Sequence, residues 1–194
     1  MKSIFLIGDS IREGAPGSEG YGVYVKEKLA GKANVYAPDD NCRFVHYTLR
    51  YLHEWADNIP KEEIDVVHWN NGLWDVLRLF GDDPLTDLDT YSIMLKKIYK
   101  RIRFLFPNAK VIYALTTPVI EELAKPEFFR SNKDIERYNE KAKEVMSECG
   151  VEVNDLFSLS KFFDHSLYSD WVHFGAEGSE ILADKVIEAC LKEG

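Results

Sequence analysis

Five short apolar runs punctuate the chain: residues 3–8 (SIFLIG), 33–37 (ANVYA), 64–70 (IDVVHWN), 109–115 (AKVIYAL) and 151–154 (VEVN). Each is rich in β-branched residues and bounded by Gly, Pro, Asn or Asp, which predicts five strands. Between them the apolar positions change period. Leu88, Tyr91, Met94, Leu95, Ile98, Ile102 and Leu105 recur at three- and four-residue steps, as do Ile181, Leu182, Val186, Ala189 and Cys190, and this spacing predicts amphipathic helices. Stop and start signals agree with it: Thr86 or Asp87 caps the helix that Pro107 stops, and Ser131 or Asn132 caps the helix that Gly150 closes. Strand and helix alternating to the end predict parallel strands joined by right-handed crossovers, with helices on both faces. The expected fold class is therefore α/β, a three-layer α/β/α sandwich around a five-stranded parallel sheet of flavodoxin-like order 2-1-3-4-5. Residues 116–130 (TTPVIEELAKPEFFR), with two prolines, are expected to form a loop over one edge of the sheet.

No fixed-period repeat, low-complexity tract or linker divides the 194 residues, so a single domain over 1–194 is expected. A net charge of −9 argues against a nucleic-acid backbone or an anionic membrane surface as the main partner and points to a small neutral or cationic one. No apolar run approaches the ~18 residues of a membrane span, and no leader-like segment precedes Ile4, so the chain is expected to be cytoplasmic. Cys42, Cys149 and Cys190 lack CxxC spacing and neighbouring histidines, which makes them inert thiols and implies neither a metal site nor a disulfide framework. Nothing in the sequence calls for a cofactor.

The chemistry lies at the two ends of the chain. The first strand runs into Gly8-Asp9-Ser10 within IFLIGDSI, and in an open parallel sheet ligands bind at the carboxyl ends of the strands. A serine there is either a helix cap or a nucleophile, and a nucleophile needs a histidine to take its proton and a third group to hold that histidine. Near the C-terminus, Asp170-Trp171-Val172-His173 precedes Phe174-Gly175-Ala176-Glu177-Gly178 and the last helix. The three-residue step brings carboxylate and imidazole together within one turn of chain, and the segment falls at the same sheet edge as Ser10. His46, His53 and His68 have no such context and are read as packed or surface residues, while His165, with Asp164 adjacent, lacks the step. Glu62-Glu63 reads as a solvated turn.

GDS at the end of strand one, combined with DxxHxxxxG before the last helix, resembles the first and last blocks of the SGNH (GDSL-type) hydrolases, small α/β/α esterases and lipases. The resemblance implies Ser10 as nucleophile, His173 as general base and Asp170 as the group that orients it. The middle blocks depart from the family pattern. Where a glycine is usual after strand two, APDDNCRF offers Asn41 and Cys42; where Gly-x-Asn-Asp is usual after strand three, WNNGLWD puts Gly72 and Asp75 on the motif and Trp74 on its asparagine. The oxyanion donors are therefore expected at the backbone of Ser10 and Cys42 and at the side chain of Asn70 or Asn71, with Asn70 favoured because strand alternation gives it the same side as Gly72.

Asp9 reads first as a tie for the loop through backbone N–H groups. It is grouped with Asn41, Asn71, Gly72, Trp74 and Trp171 as residues able to line the substrate site, and Arg43 has a similar claim. The expected activity is hydrolysis of a small acyl ester, with an acetylated carbohydrate the leading substrate and a short-chain lipase or thioesterase the alternative. Flavin-mononucleotide binding is disfavoured because GDSIREG is acidic and lacks a phosphate-wrapping pattern. A receiver domain would need a lysine after strand five, where Asn154-Asp155-Leu156 stands. The altered middle blocks also keep open a member of the family that only binds glycans. The nucleophile-elbow motif Gly-x-Ser-x-Gly does not occur.

Overall fold

The computed structural model describes residues 1–192; the last two positions of the expected 1–194 unit lie outside the described residues. Its main sheet has five parallel strands, β1 (Lys2–Ile7), β2 (Ala33–Tyr36), β3 (Val66–Trp69), β4 (Lys110–Ala114) and β5 (Glu152–Asn154), in the spatial order β2-β1-β3-β4-β5. This is the expected order. Helices α2 (Tyr21–Lys28) and α7 (Ala176–Leu191) pack together on one face, and α3 (Val45–Trp55), α4 (Leu88–Leu105) and α5 (Asn132–Cys149) pack in succession on the other. Two short helices, α1 (Ser10–Glu13) and α6 (Leu156–Ser160), follow β1 and β5.

Because both faces are covered, the central strands read as continuous apolar runs rather than alternating ones. Ile4, Phe5, Leu6 and Ile7 are all fully buried, as are Val67, His68 and Trp69 on β3. The fully buried His68 meets the Asn154 side chain at 3.1 Å, and burial pushes its imidazole down to about 3, so it is a neutral packing residue, as expected. The helix caps resolve the alternatives left by the sequence. Asp87 accepts from the Thr90 N–H at the start of α4, Ser131 accepts from Asp134 N–H at the start of α5, and Gly150 ends α5 in the left-handed region. The three cysteines are free thiols. No helix among the described residues is long and apolar enough to cross a membrane.

Residues 116–130 differ from the plain edge loop expected. The segment holds a 3₁₀ turn at Glu121–Leu123 and a two-residue strand, Phe128–Phe129, paired antiparallel with Arg78–Leu79. Ile120 N–H donates to the Trp171 carbonyl at 2.8 Å, which fastens the segment beside the Asp170–His173 loop. A second miniature ladder pairs Gly14–Ala15 with Ser18–Glu19. Two-residue ladders carry no periodicity, so the hydrophobic pattern cannot announce them.

Candidate active site

β1 ends at Ile7, and the chain turns at once into α1, where Asp9 is the cap: its Oδ1 accepts from the Ile11 N–H at 2.9 Å, and its carbonyl accepts from Arg12 and Glu13. This turn puts Ser10 first in the helix, 8% exposed, with its N–H free of any acceptor among the described residues. Arg12 anchors the turn from below, donating to the carbonyls of Gly8, Pro38 and Asp40 and so joining the ends of β1 and β2.

The Asp170–His173 loop is closed by its own carboxylate. Asp170 Oδ1 accepts from the N–H groups of Val172 and His173 at 2.6 and 2.7 Å, while Ser169 N–H donates to the His173 carbonyl. Behind it, Gly175 N–H donates to Leu167 carbonyl and Ser18 hydroxyl donates to Phe174 carbonyl, which ties the loop to the first turn of α7 and to the N-terminal segment. Gly178 permits this closure, since a Cβ there would sit 2.5 Å from the Leu167 carbonyl oxygen.

The two ends of the sequence meet as expected. His173 Nε2 lies 2.8 Å from Ser10 Oγ, and His173 Nδ1 lies 2.6 Å from Asp170 Oδ2. A carboxylate only accepts, so Nδ1 carries the ring proton and Nε2 accepts from the serine hydroxyl. Burial works to raise the Asp170 carboxyl, but the hydrogen bonds from the His173 ring and from the His173 and Val172 amides outweigh it and hold the group below its ordinary value. The arrangement lets the imidazole take the hydroxyl proton while a fixed negative charge stabilises the cation that forms.

The other expected site residues divide. Cys42 is withdrawn as an oxyanion donor: its N–H donates to the Gly8 carbonyl at 3.2 Å, and burial pushes its thiol up to about 12. The left-handed backbone that a glycine would favour falls one residue later, at Arg43 (φ 45°), whose N–H is bonded to the Asn41 side chain. Asn71 is withdrawn as a substrate contact. It is fully buried, its amide donates to Arg43 carbonyl and Thr48 hydroxyl, and its side-chain oxygen accepts from the Trp69 indole.

Gly72 is a structural requirement rather than a ligand. Its φ is +143°, and a Cβ there would lie 2.3 Å from the Thr116 hydroxyl. Asp9, 1% exposed, is a cap rather than a substrate contact, and burial raises its carboxyl, an effect that the Ile11 amide and the charges of Arg130, His173 and Arg12 oppose. Asn70 donates to the Ala114 carbonyl at 2.8 Å, and a longer 3.5 Å contact to the Thr116 hydroxyl occupies its second hydrogen only weakly. Trp74 and Trp171 are half-buried at the rim, each edge-on to Phe128. Next to Ser10, Gly8, Asp9, Tyr21, Asn70 and Thr117 line a cavity of about 10 Å³, too small for an acyl group.

Two further residues lie close to this site, Arg130 with no motif signal and Asp75 on the third motif block. Arg130, from the irregular segment, is 3% exposed and donates through Nε to the Leu73 carbonyl, 57 positions away in sequence. Its guanidinium lies 5.0–5.7 Å from the ring centres of Phe128, Trp171 and Trp74. Burial pushes it down to about 10 against the pull of Asp9 and Asp170, which leaves it charged at neutral pH. Asp75, the last residue of the third block, is fully buried and accepts from Val45 N–H at the start of α3.

The 2-1-3-4-5 parallel sheet thus carries a serine, a histidine and an aspartate linked in series at its carboxyl edge, an arrangement able to perform acyl transfer, and it lacks the nucleophile elbow. The model of the GDSL-like lipase/acylhydrolase family matches residues 6–181, and the chain belongs to that family of ester-bond hydrolases. It is 26% identical, over 95% of its own length and 77% of the relative's, to the GDSL esterase/lipase CPRD49 of Arabidopsis thaliana. Its fold is similar to that of the acetyl xylan esterase AlAXEase (TM-score 0.74, 18% identity, 97% of this chain and 100% of that one). It is also similar to that of a lipase/acylhydrolase from Enterococcus faecalis (0.73, 21%, 97% and 95%). A carbohydrate esterase family 3 protein from Talaromyces cellulolyticus shares the fold as well (0.70, 18%, 96% and 94%).

Proposed function

We propose that the chain is a serine esterase acting on small acyl esters through Ser10, His173 and Asp170, with an O-acetylated carbohydrate as the substrate class. The observation that carries this reading is the continuous hydrogen-bonded series from Ser10 Oγ to His173 to Asp170, with both links under 3 Å. His173 removes the Ser10 proton as Oγ attacks the carbonyl carbon, the alcohol departs with that proton, and water then releases the acyl group with His173 again as base. The free N–H of Ser10 and the amide of Asn70 are donors available to the oxyanion. The choice of acetyl on a sugar is supported by the shared fold of an acetyl xylan esterase and a carbohydrate esterase. The aromatic rim of Trp74, Phe128 and Trp171, a surface on which a sugar face stacks, also supports it.

The test is hydrolysis of p-nitrophenyl esters and acetylated xylan by wild type and Ser10→Ala. Acetate is expected to be cleaved faster than butyrate or octanoate, and Ser10→Ala is expected to lose at least about 10³-fold in kcat/KM. Undiminished turnover by Ser10→Ala overturns the assignment. A preference for octanoate favours a lipase instead, and carbohydrate binding with no hydrolysis favours a glycan-binding protein.

A further inference from the structure

Beyond the free N–H of Ser10 and an Asn70 amide already engaged with the Ala114 carbonyl, the serine site has few donors for an oxyanion. Cys42 N–H is bonded to Gly8, Arg43 N–H to Asn41, and an indole stands at the motif position of the family's asparagine, at Trp74. Directly over that indole lies the Arg130 guanidinium, 5.7 Å from the ring centre and anchored by its Nε–H on the carbonyl of Leu73, the residue before Trp74. A guanidinium has five N–H donors, and among the described residues only the one on Nε has an acceptor. The three rings stabilise the cation, and its Nη groups, not fully enclosed, keep four N–H donors open to an anionic oxygen. Asp9 and Asp170 are near enough to stabilise its charge, yet neither is bonded to it. Trp171, a second wall of its cage, directly follows Asp170 in the chain, so the cation lies against the loop that carries His173 and within electrostatic reach of Asp9 and Asp170.

We propose that Arg130 supplies the missing oxyanion donor, its Nη groups binding the ester carbonyl oxygen as that oxygen becomes negative, in the role the asparagine amide would otherwise fill. The proposal rests on the reading of Ser10 as nucleophile. As the Oγ–C bond forms, the carbonyl π pair moves onto oxygen and the hydroxyl proton moves to His173 Nε2. Arg130 donates hydrogen bonds and transfers no proton. When the pair returns to re-form the carbonyl, the C–O bond to the alcohol breaks and the alcohol takes the proton from His173. A substrate bearing a fixed negative charge fits less well, because Asp9 and Asp170 flank the cation and the whole chain carries −9. Charge that develops only after attack is stabilised selectively in the transition state.

The test measures kcat and KM for neutral p-nitrophenyl acetate in Arg130→Gln and Arg130→Lys, with folding checked by circular dichroism. Arg130→Gln is expected to lower kcat by about 10²–10³-fold with KM changed less than about threefold, and Arg130→Lys by less. Phenylboronic acid, which forms a tetrahedral adduct on a nucleophilic serine, is expected to lose affinity for Arg130→Gln by a similar factor. Restoring the motif asparagine with Trp74→Asn in the Arg130→Gln background is expected to recover part of the lost kcat, which repair of a purely structural defect would not do. Should Arg130→Gln not fold, Arg130→Lys and the boronate carry the test. A folded Arg130→Gln with wild-type kcat overturns the proposal, as does a loss confined to KM or to esters carrying a carboxylate. Ser10→Ala separates the readings: an inactive Ser10→Ala beside a fully active Arg130→Gln removes only the role of Arg130, whereas a fully active Ser10→Ala removes both.

Discussion

At the scale of single residues, the Asp170 carboxylate serves the backbone and the imidazole at once. One oxygen closes its own loop by accepting two amides, and the other faces His173 Nδ1. Asparagine in its place keeps the first function through its carbonyl but turns an N–H₂ toward Nδ1, which drives the ring proton to Nε2 and removes the base. Asp170→Asn is therefore expected to fold normally and to lose about 10²–10⁴-fold in kcat at neutral pH, measured on p-nitrophenyl acetate beside a thermal melt. Its depressed carboxyl also sets a pH dependence. The stability it contributes is present above its ordinary value of 3.8 and is lost as pH falls through the lower native value.

Ser10, Asp170 and His173 were legible in the sequence because each sits in a short motif whose spacing reports local geometry. Arg130 was not. It reaches the site through a 57-residue separation to Leu73 and is recognisable only by the rings that surround it in space. Cys42 and Asn71 misled for a related reason: motif position says which residue is near, but whether its N–H is already bonded is decided by neighbours such as Gly8, Arg43 and Thr48.

At the scale of elements, the Asp170–His173 loop and α7 form one unit through Gly175 and Gly178. Because a Cβ at position 178 would press on the Leu167 carbonyl and on Phe174, Gly178→Ala forces the helix away from the loop that carries His173. A cost of about 1–3 kcal/mol is expected, seen as a fall in Tm of roughly 3–10 °C, with a larger relative loss in kcat than in KM. An unchanged melt and unchanged turnover would show that the helix and loop are not coupled in this way. The main strands and helices α4 and α5 were readable to within a residue or two, since period-3.6 stripes and buried β-branched runs are statements about burial that the sheet enforces, whereas α2 and α3 carried no stripe that set their bounds and α7 begins five residues before the stripe that announced it. The two-residue ladders escaped because they exist only where a partner strand arrives; Phe128–Phe129 is a strand by virtue of Arg78–Leu79.

At the scale of the whole molecule, burial holds one carboxyl against ionisation. Asp75 is fully buried, and loss of hydration pushes it up to about 7, with the Thr86 hydroxyl and the Val45 amide drawing it back only part of the way. The native state thus binds a proton that the unfolded chain releases near pH 4. The stability this lends is full below the unfolded value and declines as pH rises toward 7. Asp75→Asn keeps an acceptor for Val45 and removes the titration, so its stability relative to wild type is expected to improve by about 2–3 kcal/mol between pH 5 and pH 8. Urea unfolding at the two pH values measures this, and parallel behaviour of the two proteins would count against it.

By itself the sequence determined the strand order, the helices that cover the sheet and the pairing of the first and last motifs. Each of these follows from where apolar side chains must hide and from local spacing along the chain. Only the tertiary structure decided which polar groups are free: that Ser10 N–H is open, that Cys42 N–H and Asn71 are not, and that Arg130 stands over Trp74 with unused donors. Hydrogen bonds saturate, and each N–H is claimed by whichever acceptor the folded chain brings within hydrogen-bonding reach, a fact of proximity in space that no pattern along the chain encodes.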